Sequence, residues 1–282
     1  MNSHPKSATS VKKYGLAIHT ASRELGFAIS NFAGESRSAT WNLDRDLATH
    51  LHQYLVEFIQ PQTWADLAFI AVAKGPGGFT GTRIGMVTAR TLAQQLDIPI
   101  FTISTLAAFA WAQPPQPPLI KGGLLELEPP LHSGGLLELE PPLHSGGLLE
   151  LEPPLHSGGL LELEPPQPRA GTHHPPPLHS GGLLNIALQM PAQRGQLFGA
   201  VYSVNQDSGL KELFPDTVMT PESWQEKLDG WGDSYQLIEV TSGLGASVSG
   251  VLELAYFEWK MGLRPGWSDA LPFYGQHPVK GH

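Results

Sequence analysis

The most informative stretch of the sequence is Lys-Gly-Pro-Gly-Gly-Phe-Thr-Gly-Thr-Arg-Ile-Gly, residues 74–85. It joins an apolar run over 67–73, which predicts a buried strand, to a helical pattern over 81–96. Such a glycine-rich turn exposes backbone N–H groups at the positive end of a helix dipole, where an anion can bind. It lacks the Gly-Lys-Ser/Thr of a Walker loop, and its glycine spacing does not match the dinucleotide fingerprint. Both an anion site and a tight connection without a ligand stay open. The residues concerned are Gly75, Pro76, Gly77, Gly78, Phe79, Thr80, Gly81 and Arg83.

The helix that follows carries a stripe of small residues. Gly81, Gly85, Ala89 and Ala93 recur every four positions and therefore share one face. Such a stripe lets another element approach closely, either a helix of a partner protein or the sheet of the same chain. If the stripe is an exposed docking face, Ala89→Trp should block association without unfolding the chain.

Elements on both sides of this stretch predict an α/β fold. Three short strands, over 14–20, 25–30 and 36–41, precede an amphipathic helix over 44–59. After the second helix come a strand over 98–103 and a helix over 105–112. The order β-β-β-α-β-α, an antiparallel meander feeding a parallel crossover, is typical of an actin-like or ribonuclease H-like (ASKHA) half.

The middle of the chain is a tandem repeat. The unit Gly-Gly-Leu-Leu-Glu-Leu-Glu-Pro-Pro-Leu-His-Ser begins at Gly122 and recurs every 12 residues until it diverges after Pro166. Paired prolines interrupt helices and strand ladders, so we expect a disordered, low-complexity insertion, with a stacked solenoid as the alternative. The predicted organisation is a first lobe over 1–112, the insertion over 113–182, a smaller α/β lobe over 183–245 and a returning C-terminal helix and tail over 246–282. After the insertion, strands are expected over 184–188 and 197–204, and helices over 221–228 and 246–261.

Charge and composition limit the function classes. The formal net charge is −9, and most of it lies in the repeats, so the rest of the chain is nearly neutral and offers no basic stripe for nucleic acid. The chain has no cysteine, which excludes thiolate catalysis and cysteine-ligated zinc. There is no apolar leader and no run of 18 apolar residues, so a cytoplasmic protein without a membrane span is expected.

The motifs on both sides of the insertion, taken in their order along the chain, resemble those of the TsaB (YeaZ) family. The run over 75–85 carries most of the likeness. The other matching segments are 16–21, 89–93, 99–100, 104–106, Arg194-Gly195 with Phe198 and Tyr202, and the tail over 271–274. The resemblance implies a non-catalytic subunit that pairs with the catalytic subunit TsaD and works with the ATPase TsaE in threonylcarbamoylation of the tRNA adenosine next to the anticodon.

The resemblance also implies a site. Pairing, with TsaD or with a second copy, would use the first two helices of the first lobe. The residues at these positions are Leu47, His50, Leu51, Tyr54, Gly81, Gly85, Met86, Ala89, Arg90 and Ala93. No intrinsic cofactor or metal is expected, a nucleotide would bind only within the complex, and tRNA would be contacted only indirectly.

Three departures from the family pattern stand out. His19 replaces the usual Asp after the first strand, Pro191-Ala192 replaces an Asp-Ala pair, and the insertion falls where a short connection is expected. Because an acid at position 19 helps to place metal-bound phosphate in actin-fold ATPases, its loss argues against ATP hydrolysis. An actin-fold ATPase or kinase, a glycoprotease-like enzyme and a repeat-driven binding module are the alternatives to the partner-subunit interpretation.

Overall fold

The computed structural model describes residues 14–113, 184–205, 209–241, 243–273 and 275. The strands are β1 Tyr14–His19, β2 Glu24–Ser30, β3 Ser36–Asn42, β4 Leu67–Ala73, β5 Ile100–Ile103, β6 Leu184–Pro191, β7 Leu197–Asn205, β8 Gly209–Met219 and β9 Gln236–Glu239. The α-helices are α1 Leu47–Ile59, α2 Phe79–Leu96, α3 Thr105–Ala112, α4 Pro221–Asp229 and α5 Val248–Lys260. The predicted tandem-repeat insertion lies outside the described residues.

The first sheet has the strand order β3-β2-β1-β4-β5. The pairs β1–β2 and β2–β3 are antiparallel, whereas β1–β4 and β4–β5 are parallel. This is the predicted meander followed by parallel crossovers, and the β-β-β-α-β-α order is confirmed. The carboxyl ends of β1, β4 and β5 therefore meet at one edge of the sheet, where the glycine-rich turn follows β4.

Side-chain alternation gives this sheet two buried faces. Leu16 and Ile18 of β1 pack into the core formed with α1 and α2, whereas Ala17 packs on the opposite face, into the core shared with α3 and α5. The apolar positions predicted for α1 are the ones that the sheet covers. Leu51 is completely buried, and Leu47, Leu55 and Ile59 are less than 5% exposed.

The second sheet has the order β8-β7-β6-β9, and two of its strands were not predicted. The edge strand β8 contains three charged residues and a proline, which do not give an alternating apolar pattern: Lys211, Glu212, Pro215 and Asp216. Strand β9 is only four residues long, too short for a recognisable pattern. Helix α4 begins at Pro221, with the hydroxyl of Thr220 accepting a hydrogen bond from the N–H of Ser223. Its Trp224 is buried against the sheet and donates to the side-chain oxygen of Gln189.

A single hydrophobic core contains residues from both sheets and from α3 and α5. Helix α5 contacts β1, β2, β4 and β5, and α3 packs against it so closely that a Cβ at Gly250 would overlap the carbonyl oxygen of Ala108. The two sheets therefore belong to one packed structure, joined through α3 and α5.

Arg37 of β3 closes the carboxyl end of α1. Its Nη2 lies 2.7, 2.9 and 2.8 Å from the carbonyl oxygens of Phe58, Ile59 and Gln60. Because these carbonyls have no partner inside the helix, Arg37→Ala should lower the free energy of unfolding by about 1–2 kcal/mol. Arg37→Lys keeps the charge but loses the fork, so urea denaturation should place it between wild type and Arg37→Ala. Equal stability of all three proteins would contradict this capping role.

Candidate functional site

The glycine-rich turn is packed against the connection that follows β1. Gly78 N–H donates to the carbonyl oxygen of Ala21 over 2.7 Å, and a Cβ at Gly77 would overlap that same oxygen. On the other side, the carbonyl of Gly75 accepts from the N–H of Thr105 over 2.9 Å. The turn thus holds together the carboxyl ends of β1, β4 and β5.

The C-terminal tail crosses the same turn. Phe273 N–H donates to the carbonyl oxygen of Lys74 over 2.7 Å, and a Cβ at Gly75 would lie 2.7 Å from the carbonyl oxygen of Phe273. Gly75 also has a φ of +101°, which favours glycine. Close packing therefore accounts for Gly75 and Gly77, and anion binding at this turn stays a prediction.

The small-residue stripe of α2 faces the chain's own sheet. A Cβ at Gly81 would overlap the carbonyl oxygen of Thr20, and one at Gly85 would overlap the Thr20 hydroxyl. Ala89 and Ala93 are fully buried. The interpretation of the stripe as an exposed docking face is therefore wrong, because its small side chains are what allow α2 to lie on β1.

Most of the residues predicted to form the partner interface are buried, which corrects their assignment to an exposed surface. Seven of the ten are buried inside the chain, since they form the core-facing sides of α1 and α2. These are Leu47, Leu51, Tyr54, Gly85, Met86, Ala89 and Ala93. The other three, His50, Gly81 and Arg90, are half-buried and can be reached from outside.

Three other apolar side chains on α1 and α2 are exposed. They are Val56 at 53%, Phe79 at 47% and Val87 at 62%. The two helices contact each other, and the guanidinium of Arg83 lies 4.8 Å from the centre of the Phe79 ring. We call Val56, Phe79 and Val87 the helix-pair face. Val56 and Val87 do not fall on the apolar stripe of their helices, and this is the signal by which the sequence could have identified them.

His19 is the last residue of β1 and lies inside the protein. Its side chain is fully buried, and neither ring nitrogen has a hydrogen-bond partner among the described residues. Burial lowers the pKa of His19 to about 4, so the imidazole is neutral at pH 7. It pairs across the sheet with Gly26, which lies against the carbonyl of Gly245 and Val248 at the start of α5. His19 is therefore a neutral interior group at the edge where the resemblance expects an acid.

A hydrogen-bonded series links the two sheets beside the glycine-rich turn. The hydroxyl of Tyr202 donates to Asp216 over 2.7 Å and lies 3.3 Å from the hydroxyl of Ser104. Burial raises the pKa of both Tyr202 and Asp216. The Ser104 hydroxyl also caps α3 by accepting from the N–H of Ala107. The Ser104 hydroxyl thereby joins the cap of α3 to the Tyr202–Asp216 pair of the second sheet.

The described parts of the chain contain neither a metal-binding cluster nor a membrane-spanning helix. No group of three or more histidine, cysteine, aspartate or glutamate side chains there could hold a metal ion. No helix in those ranges is long and apolar enough to cross a membrane.

Sequence comparison finds relatives in tRNA modification. A family model described as "TsaD: tRNA N6-adenosine threonylcarbamoyltransferase" matches residues 51–121. The chain is 58% identical over 45 residues to the tRNA threonylcarbamoyladenosine biosynthesis protein TsaB of Bacillus subtilis, and 52% identical over 48 residues to that of Buchnera aphidicola subsp. Schizaphis graminum. These matches cover 16% and 17% of this chain, and only 20% and 23% of the two relatives.

Solved structures share the fold along nearly the whole chain. YeaZ from Pseudomonas aeruginosa superposes with a TM-score of 0.58 at 17% identity, covering 93% of this chain and 100% of YeaZ. A second Pseudomonas aeruginosa protein, described as similar to peptidase YEAZ, gives a TM-score of 0.56 at 16% identity, covering 93% and 99% of the two chains. The predicted actin-like α/β fold class is thereby confirmed. The chain is thus similar to TsaB proteins over a short stretch of sequence, and it shares the fold of YeaZ along 93% of its length.

Proposed function

We propose that this chain is an accessory subunit for tRNA N6-threonylcarbamoyladenosine biosynthesis and acts by pairing with a TsaD-like catalytic subunit. The identity to TsaB supports the pathway. The observation that carries the pairing is the helix-pair face, because three large apolar side chains are exposed on the helices where the resemblance expects a partner. The face residues differ from those predicted, whereas the two helices are the same.

The packing at the carboxyl edge of the first sheet favours an accessory role over catalysis. Backbone atoms of Ala21 and Phe273 pack against Gly77 and Gly75, and His19 is neutral and buried where an ATPase would place an acid. One relative by fold is described as similar to a peptidase. The Ser104 hydroxyl is engaged as a helix cap, so we do not assign it a peptidase function.

The remaining partners follow from the same proposal. A TsaE-like ATPase would act on the assembled pair, and any nucleotide would bind at a contact between subunits, with no cofactor held by this chain alone. A second copy of the chain would compete for the helix-pair face. Contact with tRNA would be indirect, and the work of the complex would take place in the cytoplasm.

Val87→Glu should strongly weaken association with the TsaD-like subunit. Val87 is 62% exposed, so the fold should tolerate the change, but a carboxylate in an apolar contact loses water without gaining a partner. We expect the affinity to fall by about tenfold or more, measured by co-purification and light scattering with the subunit from the same cell. Leu237→Glu is the matched control, because Leu237 is 45% exposed on β9 of the second sheet. Failure of the wild-type proteins to associate would contradict the proposed function, and normal binding by Val87→Glu would contradict this face.

A further inference from the structure

Exposed apolar side chains are concentrated in the segment that follows α5. Among the described residues, eight large hydrophobic side chains are exposed, and four of them fall within 261–271. They are Met261 at 71%, Leu263 at 49%, Trp267 at 40% and Leu271 at 64%. We call these four residues the C-terminal ridge. Exposed apolar side chains that lie together on a protein are candidates for a contact surface.

The backbone beneath the C-terminal ridge is held in place. Leu263 N–H donates to the carbonyl of Glu258 over 3.1 Å, and the carbonyl of Pro265 accepts from the N–H of Ile100 on the edge strand β5 over 3.2 Å. Ala270 is buried in the core between the first sheet and α2. The ridge side chains are therefore presented by an ordered segment, which lowers the entropy lost when a partner binds.

The C-terminal ridge lies next to α2. The short 3-10 turn Trp267–Asp269 packs on this helix, and the Arg90 guanidinium carbon lies 5.9 Å from the centre of the Trp267 ring. Val87 precedes Arg90 by one helical turn on the same helix. Trp267 of the ridge thus lies beside α2, about one helical turn from Val87.

We infer that the C-terminal ridge is a second contact area for the same TsaD-like partner that binds the helix-pair face. This inference rests on the proposed function. Stable pairing buries about 800 Å² on each protein, spread over roughly 20–30 residues, which three exposed side chains on α1 and α2 do not provide. The ridge supplies further apolar area, and its Trp267 contacts the helix that carries Val87.

The chemistry of the ridge fits a protein surface better than a nucleic acid. Met261, Leu263 and Leu271 offer aliphatic contacts and the ring of the remaining member, Trp267, lies against the Arg90 guanidinium, whereas single-stranded nucleic acids are bound by aromatic stacking and phosphate contacts. The nearby Arg264 guanidinium is stacked 3.4 Å from the centre of the Trp259 ring and donates to the carbonyls of Trp259 and Leu263. This cation is thereby engaged within the chain.

The double variant Met261→Ser/Leu271→Ser tests this inference in the full chain. Both side chains are more than 60% exposed, so the thermal melting curve should match that of the wild type. Titration calorimetry with the TsaD-like subunit should show an affinity at least about tenfold weaker than that of wild type, because two apolar contacts are lost. Leu237→Ser, on the second sheet, should bind as wild type does.

The outcomes separate this inference from the proposed function. Weak binding by both Val87→Glu and the ridge variant, with normal binding by Leu237→Ser, supports a continuous face. Normal binding by the ridge variant with weak binding by Val87→Glu overturns the ridge alone. Loss of self-association, or of RNA binding in a filter assay, with the TsaD-like affinity unchanged would assign the ridge to another occupant and overturn it as well. Absence of binding by the wild type would overturn both proposals.

Discussion

Ala89→Trp is expected to lower the free energy of unfolding by at least about 3 kcal/mol and the melting temperature by about 6–12 °C. Ala89 is fully buried between α2 and the first sheet. One turn earlier, Gly85 lies so close to the Thr20 hydroxyl that even a Cβ would overlap it. An indole at position 89 therefore has no space unless α2 moves away from β1. Urea and thermal denaturation followed by circular dichroism would measure the loss.

Val87→Trp is the matched control on the same helix. Val87 is 62% exposed, so a tryptophan there points away from the sheet and should change the stability by less than about 0.5 kcal/mol. The pair distinguishes the two orientations of α2 that the sequence allowed. If Ala89→Trp kept wild-type stability and Val87→Trp unfolded the chain, the helix would be rotated with respect to the structure described above.

Local patterns were sufficient to predict most of the fold. The apolar spacing of α1 specifies both its helical form and its core-facing side, so that Leu51 and Leu55 lie where the pattern puts them. The continuous run in β4 predicts a strand buried on both faces, as observed. Strands β8 and β9 could not be predicted in this way, because an edge strand with a proline and several charges, or one of four residues, is stabilised by its neighbours rather than by its own pattern.

The candidate site was predicted less well, for a physical reason. A stripe of glycine and alanine indicates only that another group approaches the helix closely. The stripe has the same sequence whether that group belongs to a partner helix or is the chain's own Thr20. The exposed residue Leu271 follows no periodic pattern, so only the folded arrangement shows that it is uncovered. Likewise, nothing in the sequence around His19 reveals that both ring nitrogens lack partners among the described residues.

The buried imidazole of His19 should make the fold sensitive to acid. Burial lowers the pKa of His19 to about 4, whereas in the unfolded chain it is about 6.5. Between these values the unfolded state binds the proton and the folded state does not, so stability falls as the pH is lowered from about 6.5 to 4. The full difference is about 3 kcal/mol, a large part of the stability of an ordinary domain.

His19→Gln should remove this part of the acid sensitivity, because glutamine is neutral throughout the range. Burial raises the pKa of Asp216 and Glu258, and such carboxylates give the opposite slope, with stability lost as the pH rises from their unfolded pKa through their higher folded pKa. These slopes are common to both proteins, so the difference between wild type and His19→Gln isolates the histidine. Urea denaturation at pH 7 and pH 4.5 should show wild type losing more stability than the variant, by about 2–3 kcal/mol. Parallel losses in the two proteins would mean that His19 is protonated in the folded state, and hence that solvent or a carboxylate reaches it.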